Sequence, residues 1–313
     1  MLCAFAIVFA APAFAASFAY VPNQGSGTIS VIDTDKDEVV RTLNAQGKLA
    51  NKKLRGIAVG HDGKMLFVVD AAGGKVNAID IATDQLKTEI AVGKSPEGIS
   101  ASAQGDLLAV CVEEDNQVAL IDVKTLTLVK HIALKGDNPE QCIYSPDGTL
   151  LLASNENSND IDVVDLKAGA SLGTVKSSGH PRGIAFLPKS HTAYVAAESA
   201  NAVDVIDADK RQVVHTIAAA LRTAGTLASA DGKTVYAANG GAGSVSVIDV
   251  AKHSIVAEIP VGQRPWNMAL TRDGKKLYVA NGRSNSVSAI DVAARKVVKE
   301  IAVGQLPWGV AIP

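Results

Sequence analysis

One short motif recurs seven times along this chain of 313 residues, and it constrains the fold more than any other feature. An apolar run such as "VSVID" ends each time in aspartate. The seven aspartates are Asp33, Asp80, Asp122, Asp165, Asp207, Asp249 and Asp291. They are separated by 47, 42, 43, 42, 42 and 42 residues, and the long first interval contains an insertion at 44–53. Such a regular period indicates an internal structural repeat.

Each repeat contains four short segments that are typical of β-strands. In residues 266–302 these segments are "WNMALT", "KKLYVAN", "SVSAIDV" and "KVVKEIAVG". They are rich in Val, Ile and Tyr, and Gly, Asn and Asp lie between them, which predicts strands joined by tight turns. No segment shows the sustained apolar periodicity of a helix.

Four strands of this length cannot bury both faces of a sheet unless neighbouring repeats cover them. The sequence therefore predicts an all-β fold, a seven-bladed β-propeller with four antiparallel strands per blade, in one domain over residues 16–313. The chain starts within a repeat at "FAYVPN" and stops after a first strand, "WGVAI". We therefore expect N- and C-terminal strands together to complete the last blade, which leaves no open sheet edge.

The first nineteen residues carry no charge and indicate export. Ala13-Phe14-Ala15 has the pattern of a cleavage site, so residues 1–15 are predicted to be a signal peptide, with cleavage after Ala19 as the alternative. A basic segment before the apolar run is missing. The run at residues 2–11 is too short to span a membrane as a helix. The prediction is a periplasmic protein without a membrane anchor.

The net charge restricts the possible partners, and the cysteines indicate which thiols or disulfides the protein can have. The 30 basic and 32 acidic residues give a net charge of −2, which disfavours nucleic acid or an anionic membrane as the main partner. We expect a monomer.

Cys3 leaves with the signal peptide. Cys111 and Cys142 lie in apolar strand segments and are predicted to be buried free thiols, with pairing in an oxidising compartment as the alternative.

The repeat resembles a known family. The segments "YVAN", "PWGVAI", "SPDG" and "VSVIDV" resemble the YVTN family of β-propeller repeats, found in exported bacterial and archaeal proteins. The segments "KSPEGIS", "VEEDNQVALIDV" and "NPEQCIYSPDG" are similar to propeller proteins associated with PQQ-dependent alcohol catabolism. That resemblance implies a small molecule or a periplasmic protein of a quinoprotein system as partner. It implies no cofactor for this chain, since quinoprotein dehydrogenases have eight blades with a tryptophan-docking repeat.

Equivalent positions that differ between repeats are the best candidates for a site, because a residue shared by all repeats serves the blade itself. The position after the proline-like residue before each first strand is one of them. It holds Arg55, Glu97, Glu140, Arg182, Ala224, Trp266 and Trp308. The first strand is innermost in a propeller, so these residues, here called the hub ring, should surround one mouth of the central channel.

The hub ring supports two interpretations. In the first it binds a ligand: Arg55 and Arg182 contact an anion, Trp266 and Trp308 stack on a flat group, and glutamates orient polar groups. In the second, arginine and glutamate neutralise one another while the tryptophans fill the bore. His180, two residues before Arg182, is a candidate ligand-binding residue at the same mouth.

Other acids and histidines carry weaker signals. A set of acids follows the second strands of several blades, and without calcium-loop spacing it is predicted to be solvated loop charge. It comprises Asp70, Glu113, Glu114, Glu156 and Glu198. No haem-attachment, metalloprotease, serine-hydrolase or phosphate-loop motif is present.

Three functions remain open from the sequence. The first is an exported, non-enzymatic propeller that binds a small molecule or a protein at the channel mouth, accessory to PQQ-linked alcohol oxidation. The second is a propeller lactonase or other hydrolase that uses Glu97 and Glu140. The third is a general protein-interaction module.

Overall fold

Residues 17–313 of this computed structural model form 27 β-strands in seven antiparallel sheets. The predicted signal peptide, residues 1–15, lies outside the described residues. Within them, one 3-10 turn spans Glu113–Asp115, and no helix is long and apolar enough to cross a membrane.

Six sheets have four strands in sequential order, and the seventh has three. The first strands are β4 (Leu54–Val59), β8 (Pro96–Ala101), β12 (Pro139–Tyr144), β16 (Pro181–Phe186), β20 (Thr223–Ala228) and β24 (Pro265–Leu270). The second strands are β1 (Phe18–Asn23), β5 (Met65–Asp70), β9 (Leu107–Val112), β13 (Leu150–Asn155), β17 (Thr192–Ala197), β21 (Thr234–Asn239) and β25 (Lys276–Asn281). The third strands are β2 (Thr28–Asp33), β6 (Lys75–Asp80), β10 (Gln117–Asp122), β14 (Asp160–Asp165), β18 (Ala202–Asp207), β22 (Ser244–Asp249) and β26 (Ser286–Asp291). The outer strands are β3 (Glu38–Leu43), β7 (Gln85–Ala91), β11 (Thr127–Ala133), β15 (Ala170–Lys176), β19 (Gln212–Ala218), β23 (Ser254–Pro260) and β27 (Lys296–Ala302).

The sheets are the blades of a ring. Blades 1 to 6 begin at β4, β8, β12, β16, β20 and β24, and the first strands of consecutive blades contact one another around a central axis. Blade 7 consists of β1–β3 and the C-terminal segment 307–312. Tyr20 and Ala311 exchange two backbone hydrogen bonds of 2.9 Å, and a second bridge joins Asn23 to Pro307. The predicted seven-bladed fold and its closure by both chain ends are confirmed.

Apolar side chains are buried between blades rather than within them. Phe67 of blade 1 packs in one cluster with Leu108 of blade 2, and Leu152 of blade 3 packs with Val195 of blade 4. Across the closure, Ala19 lies in a cluster with residues of blade 6. Each sheet therefore has two apolar faces. This agrees with the prediction that neighbouring repeats cover both faces of each sheet.

The recurring aspartates serve turns, as their presence in every repeat predicted. Asp249 Oδ1 accepts a hydrogen bond of 3.0 Å from the amide of Lys252, and Asp291 Oδ1 accepts one of 2.8 Å from Ala294. The other five aspartates accept equivalent bonds two or three residues ahead. A carboxylate that satisfies turn amides at the end of the third strand stabilises the hairpin to the outer strand.

The prediction of two free thiols is wrong, because Cys111 and Cys142 form a disulfide between blades 2 and 3. Both cysteines are fully buried. Strand β12 packs against β9 of the preceding blade, and this packing places the two sulfur atoms opposite one another. The pairing depends on contacts between blades, which strand propensity alone does not reveal.

We predict that removal of this disulfide lowers the free energy of unfolding by about 3–4 kcal/mol, from loop-closure entropy for a separation of 31 residues. Denaturant unfolding of a Cys111→Ser, Cys142→Ser double variant measures the loss. Wild-type protein with a thiol reductant should show the same loss, and the reductant should leave the double variant unchanged. Peptide mapping without a linked Cys111–Cys142 peptide would contradict the assignment.

Candidate functional site

The hub ring lies where the first strands depart from regular pairing. In β16, Pro181 pairs with Ala197 and the next regular pair is Ile184 with Val195, so Arg182 is outside the ladder. The same irregularity occurs in the other complete blades at the ring residues Arg55, Glu97, Glu140, Ala224 and Trp266. A bulge turns a side chain away from the sheet face. This geometry explains how each blade presents one side chain to the channel.

Glycines beside the ring bring the first strands into close contact. A Cβ on Gly56 would lie 2.5 Å from the Glu97 carbonyl oxygen, and one on Gly225 would lie 2.0 Å from the Trp266 carbonyl oxygen. The backbones of adjacent first strands therefore leave little room in the bore. A cavity of only about 10 Å³ remains between Glu140, Arg182, Ala224, Trp266 and Trp308.

The charged hub-ring residues form pairs, as the second interpretation predicted. Arg55 is in contact with Glu97, and Arg182 Nη2 lies 2.5 Å from Glu140 Oε1. Glu97 and Glu140 are 2% and 5% exposed, so the hydrolase hypothesis loses its two open carboxylates. Trp308 is 8% exposed and lines the small cavity together with Trp266. The bore is therefore plugged.

The prediction that the second set of acids is solvated is wrong for Asp70, Glu156 and Glu198, which are 3%, 8% and 2% exposed. Asp70 is paired with Lys52 at 3.0 Å. Glu114 is exposed, as predicted. The loops after the second strands lie at the same face as the hub ring, so a glutamate at that position points to the channel mouth instead of solvent.

Glu198 is the centre of an arginine cluster. Its Oε1 lies 2.9 Å from Nη2 of both Arg222 and Arg264, and its Oε2 lies 3.3 Å from Arg182 Nη1. The three arginines come from consecutive blades, 4, 5 and 6. Here Arg182, Arg222, Arg264 and Glu198 are called the arginine cluster. On the other side of the mouth, Arg55 lies near two acids, Glu97 and, at 3.9 Å, Glu113.

His180 adjoins the arginine cluster. Its Nδ1 is 3.4 Å from Glu198 Oε2, and its Nε2 is 3.7 Å from Glu156 Oε2. One ligand atom each from Glu156, His180 and Glu198 lies within 4.8 Å of the others, a spacing compatible with a metal ion. Arg182 Nη1 also lies 2.6 Å from Glu156 Oε1, so a guanidinium already occupies this space.

The backbone conformation of the loop before each first strand fixes the residue that lies two positions before the hub ring. His180, Arg222 and Arg264 have φ values of 49°, 56° and 55°, in the left-handed region. The amide of His180 donates to Asn159 Oδ1 at 2.7 Å, and that of Arg222 donates to Asn201 Oδ1 at 2.8 Å. Non-glycine residues adopt this conformation where the surroundings hold them. An asparagine of one blade thus positions a mouth residue of the next.

Neighbouring groups shift the pKa values of the two glutamates in opposite directions. Burial, followed by the charge of Glu140, raises the pKa of Glu156 to about 8. Burial alone would raise the pKa of Glu198 as well, but Arg182, Arg222 and Arg264 lower it to about 2. Glu156 therefore keeps its proton to a higher pH than Glu198 does.

Sequence reasoning missed Arg222 and Arg264. The position two residues before the hub ring also varies between repeats, so the comparison that found the ring could have found them. It holds Lys53, Ser95, Asn138, His180, Arg222, Arg264 and Leu306. Glu156 and Glu198 share an equivalent position after the second strand with Glu113. The mouth is therefore built from three variable positions per blade.

Comparisons with known proteins agree with this architecture. Residues 164–298 match the model of the family Lactonase, 7-bladed beta-propeller, and residues 16–145 match the Cytochrome D1 heme domain. Each match covers less than half of the chain. Together with the blades described above, they define the protein as a seven-bladed β-propeller.

Solved structures share the fold. A structure titled Kuenenia stuttgartiensis Hydrazine Synthase is similar with a TM-score of 0.76 and 22% identity, over 88% of this chain and 92% of that chain. A functionally unknown protein from Desulfotomaculum acetoxidans DSM 771 is similar with a TM-score of 0.81 and 16% identity, over 94% and 98% of the two chains. No curated protein matches.

The expectation that the chain needs no cofactor is contradicted. The matched Cytochrome D1 model is a haem domain, and the match extends over β1 to β12, including Arg55, Glu97 and Glu140 of the hub ring. The expectation was based on blade number and tryptophan content, which bear on PQQ binding and not on haem binding.

We predict that Glu156 makes the stability of the protein fall as the pH rises. Its folded-state pKa, about 8, exceeds the ordinary value of 4.5, so its proton stabilises the folded state below pH 4.5 and the effect is lost as the pH passes 8. The slope from this single group is about 1.4 kcal/mol per pH unit at most. Urea unfolding at pH 5, 6.5 and 8 measures it.

The Glu156→Gln variant keeps a neutral side chain of the same size at every pH. It should flatten this slope and be more stable than wild type at pH 8. Glu114→Gln, at an exposed acid, is the matched control and should leave the slope unchanged. A slope in Glu156→Gln equal to that of wild type would contradict the assigned protonation.

Proposed function

We propose that this chain is an exported binding propeller that holds a small carboxylate-bearing molecule at the channel mouth. The observation that carries the proposal is the convergence of three arginines from three blades on one carboxylate, Glu198, at 2.9–3.3 Å. Arginine presents paired donors that match the two oxygens of a carboxylate.

Charge counting at the arginine cluster favours an anion. Its three guanidinium groups contact three carboxyl groups, Glu140, Glu156 and Glu198. Burial raises the pKa of Glu156 to about 8, so this carboxyl holds a proton more readily than an ordinary glutamate and balances the arginine charge less fully. The Arg222 side chain is 55% exposed, so it can contact a ligand from solvent without leaving Glu198.

Trp266 supplies an adjacent aromatic surface. Its ring lies against Gly282, where a Cβ would come within 2.8 Å of the ring. Its indole Nε1 is buried and has no hydrogen-bond partner among the described residues. A buried donor without an acceptor costs stability, which a ligand oxygen would recover. An aromatic carboxylate combines an anion for the exposed Arg222 with a flat group that can lie against the Trp266 ring.

The proposed setting is the periplasm, accessory to PQQ-linked alcohol oxidation, with a protein of that system as the alternative partner. The resemblance in "KSPEGIS" and "NPEQCIYSPDG" supports the pathway. The Cys111–Cys142 disulfide supports export, because disulfides persist mainly in oxidising compartments. The lactonase alternative gains no support from the site, since Glu97 and Glu140 are both paired with arginine.

We predict that benzoate and the tricarboxylate PQQ raise the melting temperature of the protein, while the neutral isostere benzamide does not. A ligand that binds only the folded state must raise this temperature. Arg222→Ala should weaken benzoate binding about tenfold or more, the effect of losing a charged hydrogen bond. Thermal-shift titration followed by calorimetry measures both effects.

The matched control is Arg283→Ala, which removes an exposed arginine without a contact to Glu198. It should bind benzoate like wild type. Equal shifts by benzoate and benzamide, or equal benzoate affinity in Arg222→Ala and wild type, would contradict an anion site at the arginine cluster.

Haem is a second candidate ligand, favoured by the match to the Cytochrome D1 heme domain. The 10 Å³ cavity in the bore cannot hold a macrocycle, so the group would lie over the mouth. The donors there fit it: His180, 36% exposed at its side chain, as iron ligand, and Arg222 and Arg264 for the propionates. Bound haem would supply redox chemistry, while these residues bind and orient it.

A haemin titration tests this candidate. We predict saturable binding with a shifted Soret absorbance band, and loss of that shift in His180→Ala because the proposed iron ligand is removed. His131→Ala is the control, since His131 Nε2 contacts the backbone oxygen of Val92 and lies on an outer strand. An unchanged spectrum in His180→Ala would contradict haem at this mouth.

A further inference from the structure

The other end of the channel has a different chemical character from the charged mouth. The first strands run away from the mouth and end in apolar side chains that surround an open funnel of about 520 Å³. Here this cavity is called the funnel. Its apolar lining includes Ile57, Ile99, Ile184, Phe186, Leu227 and Met268. A cavity of this size with a mainly apolar lining is typical of a small-molecule site.

None of the described residues that line the funnel is charged. A charged ligand would lose its hydration there without gaining an ionic partner, which costs several kcal/mol or more. The mouth, by contrast, has four arginines and a histidine. The lining of the funnel therefore selects a neutral molecule, whatever binds at the mouth.

Tyr144 provides one polar contact in this apolar lining. It is 7% exposed, it lines the funnel, and its hydroxyl is buried without a hydrogen-bond partner among the described residues. Burial raises the pKa of Tyr144, so the hydroxyl keeps its proton at neutral pH and acts as a donor. Almost every buried donor in a folded protein has an acceptor. Protein atoms cover this hydroxyl, so a ligand in the funnel can supply the missing acceptor only when the Tyr144 ring turns toward the cavity.

The plug separates the funnel from the mouth. Gln141, Gly183, Asn267 and Trp308 line both the funnel and the 10 Å³ cavity, so among the described residues the bore narrows to this small space between the two ends. Asn267 also donates to the backbone oxygen of Trp308 at 3.4 Å, across the junction of blades 6 and 7. A ligand of the funnel must enter from the face opposite the mouth, so the two sites can be tested separately.

From these observations we propose that the funnel is a second ligand site, which binds a neutral, largely apolar, flat molecule through a carbonyl-type oxygen that accepts a hydrogen bond from Tyr144. The apolar side chains bury the body of the ligand, and the hydroxyl fixes its orientation. The proposal does not depend on anion or haem binding at the mouth.

The test compares 9-fluorenone, a neutral flat ketone, with fluorene, the same ring system without the oxygen. Calorimetric or fluorescence titration of the wild-type protein should give fluorenone an affinity about five- to tenfold higher than fluorene, the size of one net hydrogen bond. In Tyr144→Phe the two compounds should bind within twofold of each other. The infrared carbonyl band of bound fluorenone should lie at lower wavenumber in wild type than in this variant.

Control variants locate the site. Leu227→Asp introduces a charge into the funnel and should weaken fluorenone binding at least tenfold, while Arg222→Ala at the mouth should not change it. Circular dichroism and the thermal unfolding transition check that each variant is folded. Absence of saturable fluorenone binding, equal wild-type affinities for fluorenone and fluorene, or a preference for fluorenone that persists in Tyr144→Phe would each overturn the proposal. A carbonyl band of bound fluorenone at the same wavenumber in wild type and in Tyr144→Phe would also overturn the proposal.

Discussion

Burial of sheet faces between neighbouring blades is the interaction on which the rest of this structure depends. A blade of four short strands exposes two apolar faces, and only a ring gives both faces of all seven blades a neighbour. The two backbone hydrogen bonds between Tyr20 and Ala311 close that ring. Without this closure, the first strands of blade 6 and blade 1 would lack the segment 307–312 between them, and the mouth would be incomplete at Trp308.

The structure of each blade also explains which positions can vary between repeats. The aspartates cap a turn in all seven blades, and a glycine after the hub-ring residue allows close contact between first strands in all but blades 3 and 6, which have Gln141 and Asn267. The hub-ring residue at each bulge is free from the ladder, so its side chain can differ between blades without loss of pairing. Arginine, glutamate, alanine and tryptophan at equivalent positions therefore alter the chemistry of the mouth and leave the scaffold intact.

The sequence was sufficient for the fold because each blade requirement is local and repeated. Strand count, turn aspartates, closure and the membership of the hub ring follow from a period near 42 residues. The inward orientation of Glu156 and Glu198 does not, because it depends on the direction in which a loop enters the channel face. The Cys111–Cys142 pair was missed for a similar reason, since its two strands belong to different blades. Contacts between repeats are the part of the structure that a periodic pattern leaves undefined.

The two ends of the channel differ because the first strand changes its role along its length. At its start, the bulge and the preceding left-handed residue direct long polar side chains such as Arg182 and Arg222 to the axis. After the bulge, regular pairing resumes at Ile184, and the side chains that reach the axis are apolar. One polypeptide ring thus has a charged mouth and an uncharged funnel on opposite faces, so the two proposed ligands would not compete for one site.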